Sequence, residues 1–390
     1  MTRRVLYLNH TEQMSGGEHS LMLLLGGLPD DVVPVVASPE GRLSEACRTA
    51  DVPWVPMTGT SGSLKLHPVH TAAGVGDIFR AALETRRACE ELSVDLVHAN
   101  SIRAGLVASI ARRLGAPPSV AHIRDVLPPS RVTALAGRLL AWGVDMLIAN
   151  SAYTRDHLPL QVARGRTRVV HNPVDLGRFC ATAADPGGIR AELGLAPETA
   201  LLAVVAQITP WKGQDTAIRA LEKLVGRGYD VHLAFVGSAK FVDKATRYDN
   251  EAFLGRLQAL VAELGLVERV SFLGEREDVP AIMAATDVLL MPSWQEPFGR
   301  AIIEAMAVGT AVVATAVGGT GEIIEDGRNG LLVPPREVDR WVGALAPLLD
   351  DPGARERLGQ AGKERARDFA VCRHVEAVLD VYAEVASDAA

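Results

Sequence analysis

Short apolar, β-branched runs alternate with amphipathic helical stretches along nearly the whole chain. This alternation constrains the fold more than any other feature. In the first half the runs predict strands at Val5–Asn9, Val32–Ala37, Val52–Pro56, Val94–Ala99, Ser119–Ile123, Asp145–Ala149 and Arg168–His171. In the second half they predict strands at Leu201–Gln207, His232–Val236, Val270–Leu273, Val288–Met291, Ala311–Ala314 and Gly330–Val333. Helical patterns such as Asp215–Val225, Phe253–Leu264 and Arg300–Ala307 lie between them. Strands separated in this way by helices form parallel sheets covered on both faces. The expected class is therefore α/β, with two open, doubly wound sheets of six or seven strands each. A chain of 390 residues is long enough to give each sheet a domain and a core of its own.

The bulk composition agrees with a folded, water-soluble chain: 48% hydrophobic and 22% charged residues are far from the disordered range. No apolar run reaches the roughly 18 residues that suggest a membrane span. The opening MTRRVLYLNH reads as a first strand rather than a signal peptide. Cys47, Cys89, Cys180 and Cys372 lie far apart with no paired spacing, which argues against a disulfide or metal framework. The expected setting is a reducing cytoplasm. The net charge of -7 is uneven, +3 up to Pro173 and -10 beyond it. A basic first half could favour an anionic partner or a membrane surface, but solvated helix faces account for an imbalance this small. No nucleic-acid partner is expected.

The break between the sheets is placed at HNPVDLGRF, residues 171–179. Asn172 precedes a proline and is biased to an extended backbone, so the segment punctuates rather than continues a strand. The acidic stretch Ala181–Pro197 then leads into the second sheet. This gives domains at 1–173 and 174–370, followed by a last helical stretch within 371–390.

Open α/β sheets bind ligands at the carboxyl ends of their strands, where helix N-termini aim free N–H groups at anions. In the second half, the strand ending at Gln207 runs into ITPWKGQD and a helix, with Lys212 at the junction beside Gly213. A lysine there is well placed to meet a diphosphate, although a lysine near a turn can also be simply exposed. Further on comes PSWQEPFGRAIIEAM. Pro297 pushes Glu296 toward an extended backbone, which leaves that carboxylate in the loop. Phe298, Gly299 and Arg300 open a helix whose first N–H groups form an anion site, and Glu304 follows about one and a half turns in. Two glutamates can be caps or surface charges, but at a phosphate-facing helix start they also suit sugar hydroxyls, which need acceptors in fixed places. Gly318-Gly319, Glu322 and the Asp326-Gly327 turn continue the block. Gly237 and Gly274 end two strands and permit close backbone approach.

In the first half, VLYLNH leads into TEQMSGGEHSLMLLL, where Gly16 and Gly17 precede a helix. No G-x-G-x-x-G follows, so this is not a dinucleotide fingerprint, and Glu18 would repel a phosphate placed too close. His122 ends the strand in SVAHIRDV, followed by Arg124 and Asp125. A strand-end histidine is often a buried hydrogen-bonder. Asn100, Ser101 and Arg103, and likewise Asn150 and Ser151, could touch an acceptor or cap the next helix; capping is favoured for Ser151.

The block Pro292–Pro335, with the Lys212-Gly213 junction, is similar to the donor-binding half of retaining, nucleotide-sugar-dependent glycosyltransferases of the family-4 (glycosyl transferases group 1) type. The segment at 171–179 resembles their Asn-Gly-Val-Asp linker, with Pro173 where glycine is common. The resemblance is dense over 200–335 and thinner elsewhere. It implies a GT-B fold, two Rossmann-like domains facing across a cleft, with the first binding acceptor, the second binding nucleotide-sugar, and the tail helix crossing back to the first. It implies a donor site of Gly16, Gly17, Gln207, Lys212, Gly274, Glu296, Phe298, Gly299, Arg300 and Glu304. Within it Glu296 would hold hexose hydroxyls, Glu304 the ribose diol, and the backbone near Gly274–Val279 the base, usually uracil. Lys212, Glu296 and His122 are the catalytic candidates, His122 through contact with the donor sugar near the reacting carbon. Gln207 departs from the pattern: arginine is usual there, so only Lys212 keeps the cationic role. Glu12, Arg124 and Asp125 are acceptor-side candidates.

The reaction so implied moves a hexosyl or N-acetylhexosaminyl group from a nucleoside-diphosphate sugar to a small hydroxylated acceptor. Acidic groups near the first-domain mouth would suit an aminocyclitol. No Asp-x-Asp motif occurs, and no metal or other cofactor is expected; catalysis would rest on electrostatic stabilisation of the departing diphosphate. Two alternatives stay open: a peripheral membrane enzyme with a lipid-linked acceptor, using the Arg-studded RVTALAGRLLAWGV stretch, and a sugar-nucleotide epimerase of the same shape. A monomer or homodimer is expected. Acceptor pockets are expected to draw on loops such as Met57–His70.

Overall fold

The structure, a computed structural model, describes residues 2–60, 68–128, 130–158, 166–180, 186–240 and 248–388. The chain divides into two compact units, Met1–Pro173 with Val371–Ala390, and Val174–Ala370.

The first unit runs β1 (Arg3–Leu8), α1 (Gly16–Gly26), β2 (Val32–Ser38), α2 (Arg42–Thr49), β3 (Trp54–Pro56), α3 (Pro68–Leu92), β4 (Leu96–Ala99), α4 (Ile102–Arg113), β5 (Ser119–Ile123), α5 (Arg131–Gly143), β6 (Met146–Ala149), α6 (Ala152–Asp156) and β7 (Thr167–Val169). Its seven strands are all parallel, in the order β3-β2-β1-β4-β5-β6-β7. Alternation along β1 feeds two cores. Leu6 and Leu8 join Val97, Ala121 and Ile123 beneath α3, α4 and α5, while Val5 and Tyr7 face α1 and α2. Burial on both faces is why these strands read as continuous apolar runs.

The second unit runs α7 (Pro186–Glu192), β8 (Ala200–Val205), α8 (Gln214–Gly226), β9 (Val231–Val236), α9 (Asn250–Glu263), β10 (Val270–Gly274), α10 (Val279–Ala285), β11 (Val288–Met291), α11 (Arg300–Val308), β12 (Ala311–Thr315), α12 (Thr320–Ile323), β13 (Leu331–Val333), α13 (Val338–Asp350) and α14 (Pro352–Ala366). Its six parallel strands follow the order β10-β9-β8-β11-β12-β13. One face packs Leu202, Val204, Phe235, Leu290 and Val313 against α8, α9 and α13. The other packs Ala203, Leu289, Met291 and Val312 against α11.

The final helix, α15 (Val371–Asp388), belongs to the first unit. Val375, Val378, Val381, Tyr382 and Val385 share a core with Val5, Tyr7, Leu21 and Leu24. The Tyr382 hydroxyl donates to that of Tyr7 at 3.2 Å, fixing the helix on β1.

All thirteen expected strands form, with shifted ends. The first β-strand of the second unit stops at Val205 rather than Gln207, and the third strand begins at Trp54 rather than Val52. Gly16 is not ahead of its helix but is its first residue, with Ser15 as the cap.

The strand order matters for function. In each sheet the winding reverses once, between β1 and β4 and between β8 and β11. Crevices outside the carboxyl ends of strands at such reversals are where open α/β sheets bind ligands.

Candidate active site

In the second unit the reversal brings the segments after β8 and β11 together. After β8 the chain makes a 3-10 turn at Pro210–Lys212, and Gly213 in the left-handed region (φ 69°) caps α8. A Cβ on Gly213 would lie 2.1 Å from the Pro292 carbonyl oxygen, so only glycine permits this approach. The Trp294 backbone N–H donates to the Trp211 carbonyl at 3.0 Å, and the Trp294 indole donates to the Pro210 carbonyl at 2.5 Å. These contacts set Lys212 Nζ 2.6 Å from Glu296 Oε2, an ion pair whose side chains are 14% and 7% exposed. The Ser293 hydroxyl donates to the same carboxylate oxygen at 3.1 Å. The ammonium also lies 4.2 Å from the Trp211 ring centroid, within cation–π range.

Glu296 stays in the loop, off the helix, as its Pro297 neighbour implies. Its carbonyl accepts from the Gly319 N–H at 3.0 Å. A Cβ on Gly319 would sit 2.5 Å from the Pro297 oxygen, so this glycine lets the 317–320 turn close against the Glu296 loop. Gly299 (φ 110°) then caps α11. Arg300 and Glu304 pair across one turn at 2.7 Å, with Glu304 9% exposed. The Phe298 ring is 1% exposed and packs edge-on against Phe369. Its apolar ring belongs to the core, and only its backbone borders the helix start.

Gln207 does not point freely outward. One side-chain amide proton goes to the Lys240 carbonyl at 3.2 Å, and the Gln207 backbone carbonyl accepts from the Gln214 side chain at 2.9 Å. Gly274 (φ 66°) ends β10 with open space at its Cβ position, and its carbonyl accepts from Gly237 N–H at 2.7 Å.

The first unit has its own strand-end cluster at the β1/β4 reversal. Asn100 after β4 donates to Asn9 after β1 at 3.0 Å and to the Gly17 carbonyl at 3.4 Å. Arg124 gathers the group. It donates to the Asn100 carbonyl at 3.0 Å and also to that residue's side-chain oxygen, to Asn172 at 3.3 Å, and to His122 Nδ1 at 3.1 Å. Arg124 thus braces the strand-end loops against one another.

His122 is sealed. It is 0% exposed, its ring stacked on His374 of α15 (centroids 5.9 Å apart) and tilted 5.6 Å from His98. Because Arg124 can only donate to Nδ1, the His122 proton sits on Nε2. Burial pushes its pKa well below the ordinary histidine value, with the Arg124 charge adding to the effect. The expectation that this side chain touches a donor sugar is therefore corrected: the imidazole is a neutral core hydrogen-bonder.

Glu18 is likewise consumed, accepting from the Ser15 N–H at 3.0 Å and from its hydroxyl in a capping box at the start of α1. Gly16 is exposed and Gly17 half-buried; Glu12 and Asp125 remain exposed. Ser101 and Ser151 cap α4 and α6, accepting from the Ala104 and Thr154 N–H groups. His10, which sequence reasoning passed over, bonds Ser101 at 2.9 Å and has its pKa lowered to about 4 by burial and by the Arg103 charge. Ser293, Trp211 and Trp294 were also missed. The two tryptophans in adjacent strand-end motifs were the available signal. Residues 61–67 of the Met57–His70 loop lie outside the described residues. Among the described residues, no group of three or more His, Cys, Asp or Glu side chains is arranged to hold a metal ion.

The family description "Glycosyl transferases group 1" matches residues 188–365, and "Glycosyltransferase Family 4" matches residues 14–178. A protein of Corynebacterium aurimucosum named D-inositol 3-phosphate glycosyltransferase is 30% identical over 340 residues, covering 82% of this chain and 77% of that protein. The chain belongs to the family-4 glycosyltransferases. A namesake from Mycobacteroides abscessus is 35% identical over 250 residues, and this glycosyltransferase spans 53% of its length. Among solved structures, Anabaena HepE in complex with UDP and glucose superposes on the glycosyltransferase with a TM-score of 0.83 at 25% identity, covering 97% of this chain and 99% of that one. Sucrose-phosphate synthase from Thermosynechococcus elongatus shares the fold, with a TM-score of 0.80 at 20% identity over 99% of this chain and 100% of the other. Among the described residues, no helix is long and apolar enough to cross a membrane.

Proposed function

We propose that this glycosyltransferase moves a hexosyl or N-acetylhexosaminyl group, with retention of anomeric configuration, from a UDP-linked sugar to a small hydroxylated acceptor of the cyclitol type. The observation that carries the donor half is the Lys212–Glu296 pair at the β8/β11 reversal, beside the N-terminus of α11. A lysine has three donors, so Lys212 can hold Glu296 with one and offer the others to a diphosphate oxygen. Lys212 and the first N–H groups of α11 take up the charge that develops on the departing nucleoside diphosphate. Glu296, kept in place by Lys212 and Ser293, accepts hydroxyls of the sugar. Glu304 accepts the ribose diol. No side chain is assigned as a covalent nucleophile, and no metal or cofactor is assigned.

The UDP and cyclitol parts draw support from the relatives: HepE was crystallised with UDP and glucose, and the curated relatives are named for D-inositol 3-phosphate. Calorimetry with UDP, GDP, ADP and dTDP, without added metal, tests the donor. Selective binding of UDP supports the reading, and binding of none overturns it. Incubation with UDP-glucose or UDP-N-acetylglucosamine and D-inositol 3-phosphate, with the anomeric coupling of the product read by proton NMR, tests acceptor class and retention.

One observation favours a second reading, a lipid-linked acceptor. Arg131, Leu135, Arg138 and Trp142 fall on one exposed stripe of α5, with Leu135 58% and Trp142 52% exposed. A basic stripe carrying an aromatic and an aliphatic side chain suits an anionic lipid surface. Cosedimentation with anionic vesicles that is lost in Trp142→Glu would favour it; absence from such vesicles would reject it.

A further inference from the structure

The loops after β8, β9 and β10 are tied together at the carboxyl edge of the second sheet. Ile208 N–H donates to the Ser238 carbonyl at 2.9 Å, and Gly237 N–H to the Gly274 carbonyl at 2.7 Å. Lys240, four residues beyond β9, is held through its carbonyl, which accepts from Gln207 at 3.2 Å and from buried Asn250 at 2.6 Å. Its backbone is therefore fixed beside the strand-end position where Gln207 brings no charge.

Two cations among the described residues near this edge are paired with buried carboxylates. Lys212 is paired with a 7% exposed Glu296, and Arg300 with a 12% exposed Glu304 side chain. Each of those pairs is neutral as a unit and holds a carboxylate that cannot readily be left alone when buried. Lys240 differs. Its partner, Glu275, lies 2.7 Å away but is 41% exposed and also receives the Ser238 hydroxyl at 3.0 Å. An ion pair so open to water is weak, and Glu275 keeps a donor of its own if the ammonium leaves. A diphosphate arriving at this edge needs positive charge beyond the two buried pairs, and the Lys240–Glu275 pair is the most open to water of the three.

We propose that Lys240 is a second cation for the donor's diphosphate, standing in for a charge that Gln207 does not supply. The inference rests on the donor reading above. On binding, the ammonium swings from Glu275 to a phosphate oxygen while Gln207 and Asn250 keep the lysine backbone in place.

The test uses full-length protein and whichever of UDP, GDP, ADP and dTDP binds tightest, titrated against its own nucleoside in parallel. Lys240→Ala is expected to weaken the diphosphate about 10–100-fold, the range of a charge-assisted contact, and to leave the nucleoside unchanged. Lys240→Arg should stay within about threefold of the parent, and Gln207→Arg in the Lys240→Ala background should recover part of the loss, because each restores a cation near the same oxygens. If Lys240→Ala binds the diphosphate as the parent does, or loses the same factor for diphosphate and nucleoside, the proposal is overturned while the donor site stands. If the parent binds none of the four diphosphates, the donor reading falls and this one with it.

Discussion

Lys212 Nζ lies 2.6 Å from Glu296 Oε2, an ion pair that links the segment after β8 to the segment after β11. The two strands are neighbours only because the sheet reverses its winding between them. Two residues far apart in sequence are thereby made one buried unit. The Glu296 carboxylate is held by both the Lys212 ammonium and the Ser293 hydroxyl. The pair has a structural role as well as a chemical one, and the two can be separated.

Replacing Lys212 by alanine is expected to lower turnover about 10²–10³-fold, the usual loss when a donor to a developing oxyanion is removed. It also strands a buried carboxylate, which costs roughly 3–5 kcal/mol. The double variant Lys212→Met/Glu296→Leu should be distinctly more stable than Lys212→Ala, yet equally inactive. Urea denaturation and single-turnover transfer measure the two effects. A turnover loss below about threefold would remove Lys212 from the chemistry.

Glu304 sits on α11 in an i,i+4 pair with Arg300. If it accepts the ribose diol, Glu304→Gln should weaken a nucleoside and its diphosphate by the same factor, about 10-fold, since the lost contact is to the sugar common to both. Calorimetry on the two ligands decides this. A loss seen only with the diphosphate would place Glu304 at the phosphates instead.

These assignments show what could be read from the chain and what could not. The strands were legible because both faces of a parallel sheet are buried, leaving continuous runs such as VLLM in β11 and AVVAT in β12. Lys212, Glu296 and Glu304 were legible because strand ends and a Pro-Phe-Gly turn mark where backbone N–H groups face a ligand. The pairing of Lys212 with Glu296 was not, because strand order is a property of the whole sheet rather than of any local stretch. His122 misled for a related reason. Its strand-end position suggested contact with a ligand, but His374 comes from α15, at the other end of the chain, and covers it.

The sealed histidines make the first unit acid-sensitive. His374 donates through Nδ1 to the His171 carbonyl at 2.7 Å, and it faces His122, His98 and the Arg124 charge. Burial lowers its pKa from 6.5 to about 4, and burial also pushes His98 and His122 well below the ordinary histidine value. The Nε2 atoms of His98 and His374 lack a hydrogen-bond partner, so a proton added there would gain none, and a proton added to His122 would go to Nδ1, facing the Arg124 guanidinium. The unfolded chain binds protons below about pH 6.5 while the folded chain refuses them until about pH 4. Stability contributed by neutral His374 is therefore complete above pH 6.5 and declines as pH falls toward 4. Each such histidine contributes a slope of about 1.4 kcal/mol per pH unit in that window. His374→Phe keeps a ring against His122 and removes one titration, so its unfolding free energy should vary less steeply between pH 6.5 and 4 than that of the parent. Equal slopes would mean that the buried ring is not the group being titrated.

Two glycines in the same backbone region should respond unequally to one added methyl. Gly213 and Gly274 both have positive φ, 69° and 66°. Alanine at either pays the left-handed strain of about 1–2 kcal/mol. At Gly274 nothing lies within 4 Å of the new Cβ, so the cost should end there. At Gly213 the Cβ would meet the Pro292 oxygen at 2.1 Å, and the loops after β8 and β11 must separate. That separation pulls Lys212 from Glu296. Gly213→Ala is therefore expected to lose a further ~1–3 kcal/mol of stability from the forced shift and to share the turnover defect of Lys212→Ala, while Gly274→Ala loses only the backbone strain. Thermal melts and transfer rates on the two variants side by side check the argument. Equal effects at both positions would mean that the close approach of the two strand-end loops does not hold the site together.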